Sequence, residues 1–302
     1  MDLTPWKFFS ISIYNNYTDM GTYIDAGLLP KILPHIYVFD FEYVGESTDL
    51  NECHLWDVGI VHLMTGSALE VSIAPEIDSI PPPFSEDFID VTPELLNKRN
   101  AVPFMTAFER LLQFMGPPNT PKILISHNCF KSDKILLEIE SKRHGIVLPL
   151  NWFFFDSLMF ARKKLPKRTS YTLNVIHNEL GFGDIVNQHF ALADAFALRN
   201  IIIKLDYHTL SGPIYPPYCT SLQAVKWLGP SCEYCMLTKG IKCVEQLMHR
   251  ILNEFTQTVL RDGCATQIKD FIEQFIVFHF DIKQGNAKSI ASSLVSNWLT
   301  KL

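Results

Sequence analysis

Apolar positions along the chain fall into two patterns. Short runs bounded by turn residues read as strands, and longer stretches with apolar positions three and four apart read as helices. The clearest strand is in "HIYVFDFEYVGE", residues 35 to 46, where Ile36 to Phe39 run straight into Asp40, Phe41 and Glu42. "LWDVGIVHL" (55–63), "ALEVSIAP" (68–75) and "KILISHN" (122–128) predict further strands, and "NWFFFDSLMFARKKL" a strand that turns helical. Helices are predicted over "TPELLNKRN", "PFMTAFERLLQFMG", "SDKILLEIESKRHGI", "SYTLNVIHNELGF" and "HFALADAFALRNIIIKL". Pro103 suits a helix start, and Gly116 and Gly145 suit helix ends. Residues 76 to 93, with "SIPPPF" and several acids, read as a surface loop. An initial run of strands followed by strand–helix alternation predicts an α/β fold with a mixed β-sheet flanked by helices.

After residue 210 the texture changes. "SGPIYPPYCTS" is rich in turn residues and reads as a boundary, and helical patterns follow over roughly 242–260, 265–281 and 287–301. The expected organisation is an N-terminal extension (1–34), a main domain (35–210) and a cysteine-containing helical accessory region (211–302).

Composition narrows the class. The chain has 302 residues, 47% hydrophobic and 19% charged, which excludes disorder for most of it. A net charge of −6 argues against a globally basic nucleic-acid surface, but leaves room for a local basic groove or a metal-bridged acidic site. No stretch approaches the length of a membrane-spanning helix, so no membrane partner is expected. The opening residues lack a basic segment followed by a long apolar run, so an intracellular, reducing compartment (cytoplasm or nucleus) is expected.

Strand geometry raises a question about Asp40 and Glu42. Residues i and i+2 share a face, so the two carboxylates project side by side while Phe41 turns into the opposite layer. Either the strand ends and the acids are solvated at its tip, or a cation lies between them. Oxygen ligands of this kind suit Mg²⁺ or Mn²⁺. Asp133 follows "SHNCFKS" at the start of a helix, as a cap or as a third acid. In "NQHFALADAFAL", His189 and Asp194 are five residues apart, about 140° apart on a continuous helix. With His189 in the loop before that helix and Asp194 one turn inside it, the two could approach one centre.

The order Asp-x-Glu, then His-Asn and Asp, then His-x4-Asp resembles the DEDDh exonuclease group of the ribonuclease-H-like superfamily. "SHNCFKSDKILLEIESKRHGI" and "NWFFFDSLMFARKKLPKRTSYTLNVIHNELGF" are most similar to the three-prime repair exonuclease family. The resemblance covers about residues 35 to 205. It implies a ribonuclease-H-like fold and a metal-dependent 3′–5′ exonuclease releasing nucleoside 5′-monophosphates. Asp40, Glu42, Asp133 and Asp194 would hold two Mg²⁺ or Mn²⁺ ions, with His189 as general base. The substrate implied is the 3′ end of single-stranded or frayed nucleic acid, DNA favoured over RNA, and a homodimer is also implied. Phe41 (through its backbone), Tyr43, His127 and Asn128 fall in segments that meet the terminal nucleotide. Tyr43 departs from the smaller residue usual in the family. The alternative is an inactive module of the same fold that binds nucleic acid or a protein partner.

Two segments stand apart from the acids. "ARKKLPKRTS" concentrates Arg162, Lys163, Lys164, Lys167 and Arg168, read either as a phosphate-contacting loop or as a solvated helix end. "CEYCMLTKGIKC" places Cys232, Cys235 and Cys243 near Cys219, compatible with structural Zn²⁺ or with free thiols packed between helices, the latter favoured. A protein partner is the expected role for residues 211–302.

Overall fold

The computed structural model describes residues 23–24, 33–45, 49–77, 80–81, 89–117, 120–149 and 151–220, scattered positions within 222–243, and 244–262, 268–280 and 282–297. Most of the N-terminal extension and part of the 76–93 loop lie outside the described residues. The chain divides into two compact units, Met1–Tyr218 and Cys219–Leu302.

The strands of the first unit are β1 (Tyr23–Ile24), β2 (Ile36–Val44), β3 (His54–His62), β4 (Ala68–Ser72), β5 (Lys122–Ser126), β6 (Trp152–Asp156) and β7 (Gly212–Tyr215). They form one sheet in the order β1-β7-β6-β5-β2-β3-β4. β2, β5 and β6 run parallel, while β3, β4, β7 and β1 pair antiparallel with their neighbours. β2 is therefore where the pairing changes sense, parallel to β5 on one side and antiparallel to β3 on the other. The chain also leaves β2 toward β3 and β5 toward β6, in opposite directions, and crevices outside the carboxyl ends of strands at such switch points are where open α/β sheets bind ligands.

The helices of this unit are α1 (Pro93–Lys98), α2 (Phe104–Met115), α3 (Asp133–Arg143), α4 (Ser157–Lys164), α5 (Leu173–His177) and α6 (Ala191–Lys204). Local chemistry sets their ends. The Thr92 hydroxyl accepts the Leu95 N–H at 3.2 Å to start α1, and Gly116 at φ +77° closes α2. "SYTLNVIHNELGF", expected as one helix, gives α5 and then a π-helical turn over Asn178–Phe182. Gly181 there adopts φ +91°, and the His177 Nδ1–H donates to the Gly183 carbonyl at 2.9 Å in place of a continued ladder.

Two sequence boundaries move. Residues 212–215, assigned to the accessory region, are a sheet strand: Phe155 pairs with Ile214 and Phe154 with Tyr215. Ile214 and Tyr215 are fully buried, and the turn residues flank this strand rather than fill it. Tyr23–Ile24, assigned to the extension, pairs with β7 at the sheet edge.

The sheet is covered on both faces. Ile36 and Val38 of β2 join Ile123, Ile125, Phe153 and Phe155 in a core with Leu198, Ile201 and Ile202 of α6. Phe39 packs the opposite way, edge-on to Phe154 at 6.1 Å. In the second unit, α7 (Val244–Asp262), α8 (Ile268–Phe280) and α9 (Gln284–Asn297) share their own core. Val244, Leu247, Met248 and Ile251 supply the α7 stripe at helical spacing, and it meets Ile272, Ile276, Ile290 and Leu294. Among the described residues, no helix is long and apolar enough to cross a membrane.

Candidate active site

Asp40 and Glu42 continue the β2 face that carries Ile36 and Val38, the face covered by α6. A bulge follows at once: the β2–β3 register shifts between Glu42 and Tyr43. Bulges commonly re-aim side chains beside functional sites. Phe41 turns away as its strand parity requires, is buried, and stacks edge-on with Phe39 at 5.3 Å.

Asp133, the first residue of α3, reaches this strand end. Its Oδ1 accepts the Phe41 N–H at 3.0 Å, and its Oδ2 accepts the Ser126 hydroxyl at 2.8 Å. The β2 backbone is thus tied to the third acid.

His189 lies outside the helix, as one of the two sequence-level arrangements required. α6 starts at Ala191, and His189 precedes it with a left-handed backbone at φ +67°. The His189 N–H donates to Asp194 Oδ2 at 3.0 Å across the first turn. Its Nδ1 lies 4.0 Å from Glu42 Oε1. One donor atom each from Glu42, His189 and Asp194 fall within 4.8 Å of one another.

The electrostatics are unfavourable in a specific way. Burial, then the charges of Asp133, Glu42 and Asp194, push the Asp40 carboxyl well above the usual range. Glu42 is pushed well up by burial, then by Asp194 and Asp133. Burial raises Asp133 to about 7 against the opposing Ser126 and Phe41 hydrogen bonds, and Asp194 to about 6 against the His189 N–H. Asp194 Oδ1 is buried with no hydrogen-bond partner. A buried, unpartnered oxygen on Asp194, whose charge acts on both Asp40 and Glu42, is what a divalent cation would satisfy, and carboxylate oxygens suit Mg²⁺ or Mn²⁺. The residues fit such an ion.

Other sequence candidates take varied places. Both His127 ring nitrogens contact protein atoms, Nδ1 the Ser157 hydroxyl at 3.0 Å and Nε2 the Tyr171 carbonyl at 2.7 Å. Asn128 sits at φ +63° with its N–H on Asp156 Oδ1 at 3.0 Å. Tyr43 is half-buried, and burial raises its hydroxyl. In the basic loop, Arg162 and Lys167 are exposed, and Arg162 lies over the Tyr171 ring at 5.6 Å. Lys163 donates to Ser211 at 3.0 Å, Lys164 lies over Phe160, and Arg168 is ion-paired with Glu179. Asp156 caps α4 through the Leu158 N–H at 2.9 Å and also takes the Asn128 N–H, so it is satisfied by backbone.

In the second unit, Cys219, Cys243 and Glu245 bring donor atoms within 4.8 Å of one another. Cys232 and Cys235 are outside that group, and Cys235 Sγ lies against the Phe280 carbonyl at 3.5 Å. The four cysteines weighed as a zinc set are not gathered at one point among the described residues.

The sequence reading missed Asp57 and Arg99. Asp57 is fully buried opposite Glu42 in the β2–β3 ladder, and Arg99 meets it at 2.9 and 3.1 Å. The available signal was an acid inside the apolar run "LWDVGIVHL", which when buried demands a partner.

No family model and no curated protein matches the sequence. Among solved structures, the fold is similar to a crystallographic structure of the nuclease domain of 3'hExo, a DEDDh family member, bound to rAMP. The two share 14% identity at a TM-score of 0.50, over 60% of this chain and 98% of that one. The fold is ribonuclease-H-like: a mixed sheet flanked by helices, with further helices C-terminal to it.

Proposed function

We propose that this chain is a metal-dependent 3′–5′ exonuclease of the DEDDh type, acting on single-stranded or frayed nucleic acid, DNA in preference to RNA. One observation carries the reading. Four acids from three separate elements meet at the end of β2, all pushed up by burial, with one buried oxygen left unpartnered. A fold of this type with a mere structural acid cluster would be expected to pair them.

Asp40, Glu42, Asp133 and Asp194 would hold the divalent ions. When bound, these supply charge neutralisation at the phosphate and a lowered pKa for an attacking water. The chain's own residues do the rest. His189 accepts the proton of that water on its imidazole as the hydroxyl adds to phosphorus. The bond from phosphorus to the 3′ oxygen of the preceding nucleotide breaks and that oxygen takes up a proton from solvent, giving a nucleoside 5′-monophosphate and a strand with a new 3′-hydroxyl, while His189 returns its proton to solvent. The Asp194 carboxylate fixes His189 through its backbone N–H, so base and ligand move together. Ser126 and the Phe41 N–H hold Asp133 in place. Arg162 and Lys167, both exposed, would meet phosphates further along the strand.

The experiment is degradation of a 5′-labelled single strand with Mg²⁺ or Mn²⁺. Stepwise shortening from the 3′ end by the unaltered protein, and none by His189→Ala, is expected. Persistence of every DNA and RNA strand would overturn the enzyme reading and leave the inactive binding module in its place.

A further inference from the structure

The position of His189 and Asp194 depends on the start of α6, and the start of α6 is held from β3. Gly59 of β3 has the α6 backbone directly on it: a Cβ there would lie 2.3 Å from Ala191 C and Leu192 N. No side chain fits, so helix and strand touch backbone to backbone. Two residues along, Asp57 Oδ2 accepts the Ala191 N–H at 3.3 Å. The same carboxylate takes the Ser72 hydroxyl at 3.1 Å and Arg99 Nη2 on both oxygens.

Arg99 extends the clamp. Its Nε donates to the Ser72 hydroxyl at 2.6 Å, and its Nη2 pairs with Glu70 at 2.8 Å. The guanidinium lies over the Phe190 ring at 4.8 Å and over Trp56 at 5.9 Å. Phe190 is the residue between His189 and Ala191, and it stacks edge-on with Trp56 at 6.0 Å. One ion pair therefore grips two consecutive residues that adjoin His189: Phe190 by its ring, Ala191 by its amide.

We propose that Asp57 and Arg99 are positioning residues of the hydrolytic site, which set His189 and Asp194 against Glu42 without touching substrate. The proposal rests on the nuclease reading for its kinetic consequence, but not for its structural one. Substrate binding along the strand is untouched by the clamp, so its loss lowers kcat and leaves KM in place. Misplacement on the ångström scale costs about 100-fold in rate.

The test replaces the ion pair by apolar residues in Asp57→Leu/Arg99→Met. Such replacements of buried pairs commonly keep stability, whereas removal of one partner leaves a buried charge. Two quantities are read at a temperature well below the unfolding midpoint: amide exchange of residues 188–195, and kcat with KM on a single strand. Expected is exchange in that segment faster by about tenfold or more, with other core segments unchanged, and kcat lower by about 10- to 100-fold at constant KM. Exchange and kcat both within about twofold of the unaltered protein would overturn the proposal. A rise in KM at constant kcat would overturn it as well. Should the double variant not fold, Arg99→Lys carries the same two readings. It keeps a cation and loses the fork. Should the unaltered protein degrade no strand, the nuclease reading fails by itself and the exchange measurement alone decides the clamp.

Discussion

Glu42 and Asp57 face each other across the β2–β3 ladder, both carboxylates largely shielded from water, yet they are treated in opposite ways. Asp57 receives Arg99, the Ser72 hydroxyl and the Ala191 amide, and the Arg99 charge with the Arg99 and Ser72 hydrogen bonds offsets part of its burial, leaving it at about 6. Around Glu42 the resolved influences all raise the pKa: burial, then Asp194, Asp133 and Asp57. Like charges directly opposite in a ladder are destabilising, and a fold built for stability alone would remove one. The difference separates an acid satisfied by the protein from one whose resolved surroundings all oppose its charge, as the proposed metal site requires. Asp156 belongs with Asp57, since backbone amides fill it, and Asp40 belongs with Glu42.

This contrast can be broken by substitution. The largest effect is expected at the ion-facing side. Asp40→Asn or Asp194→Asn should lower kcat by at least about 10²- to 10³-fold. The same changes should raise the metal-free melting temperature by a few degrees, because a repelled charge is removed. A fall in melting temperature would place these acids with the structural ones. Next comes Asp57→Ala, which removes the acceptor of the Ser72 hydroxyl and the Ala191 amide and leaves Arg99 paired with Glu70. It should cost about 2–3 kcal/mol by denaturant unfolding. Asp156→Ala should cost about 1–2 kcal/mol through the lost α4 cap, with little change in metal affinity by titration.

Proton linkage sharpens the contrast further. Asp133 at about 7 and Asp194 at about 6 lie above the ordinary carboxyl value of 3.8, so the folded state binds their protons more tightly than the unfolded state. Their stabilising contribution is complete below about pH 4 and is lost as pH rises through 6 and 7. The metal-free melting temperature should therefore fall between about pH 4 and pH 7, and Mn²⁺ should restore most of the loss at the upper end. The smallest effect is expected at Lys167→Ala, a several-fold rise in KM with a shallower salt dependence and unchanged kcat.

Much of the fold is legible in the sequence because periodicity follows from burial. Ile36–Val44 and the helical pattern that becomes α7 read directly. β7 does not, since Gly212–Tyr215 is four residues among prolines, and its place depends on pairing with Phe154 and Phe155 far back in the chain. At the site, strand parity alone places Asp40 beside Glu42. His189 required the structure, because only its left-handed backbone and the contact with Asp194 choose between helix and loop. Asp57 looks like an anomaly in an apolar run until Arg99, 42 positions later, is seen to reach it. Its task comes from a contact across 134 positions to Ala191, which no local pattern encodes.

The most direct test of the central claim is Mn²⁺ binding near neutral pH, followed by electron paramagnetic resonance of the free ion. The unaltered protein, Asp156→Asn and Asp40→Asn are compared. The unaltered protein and Asp156→Asn, whose carboxylate is held by backbone amides, are expected to bind the ion alike, while Asp40→Asn loses at least about tenfold in affinity. Equal affinity in all three, or no binding by the unaltered protein, would contradict the assignment of Asp40, Glu42, Asp133 and Asp194 to a metal site.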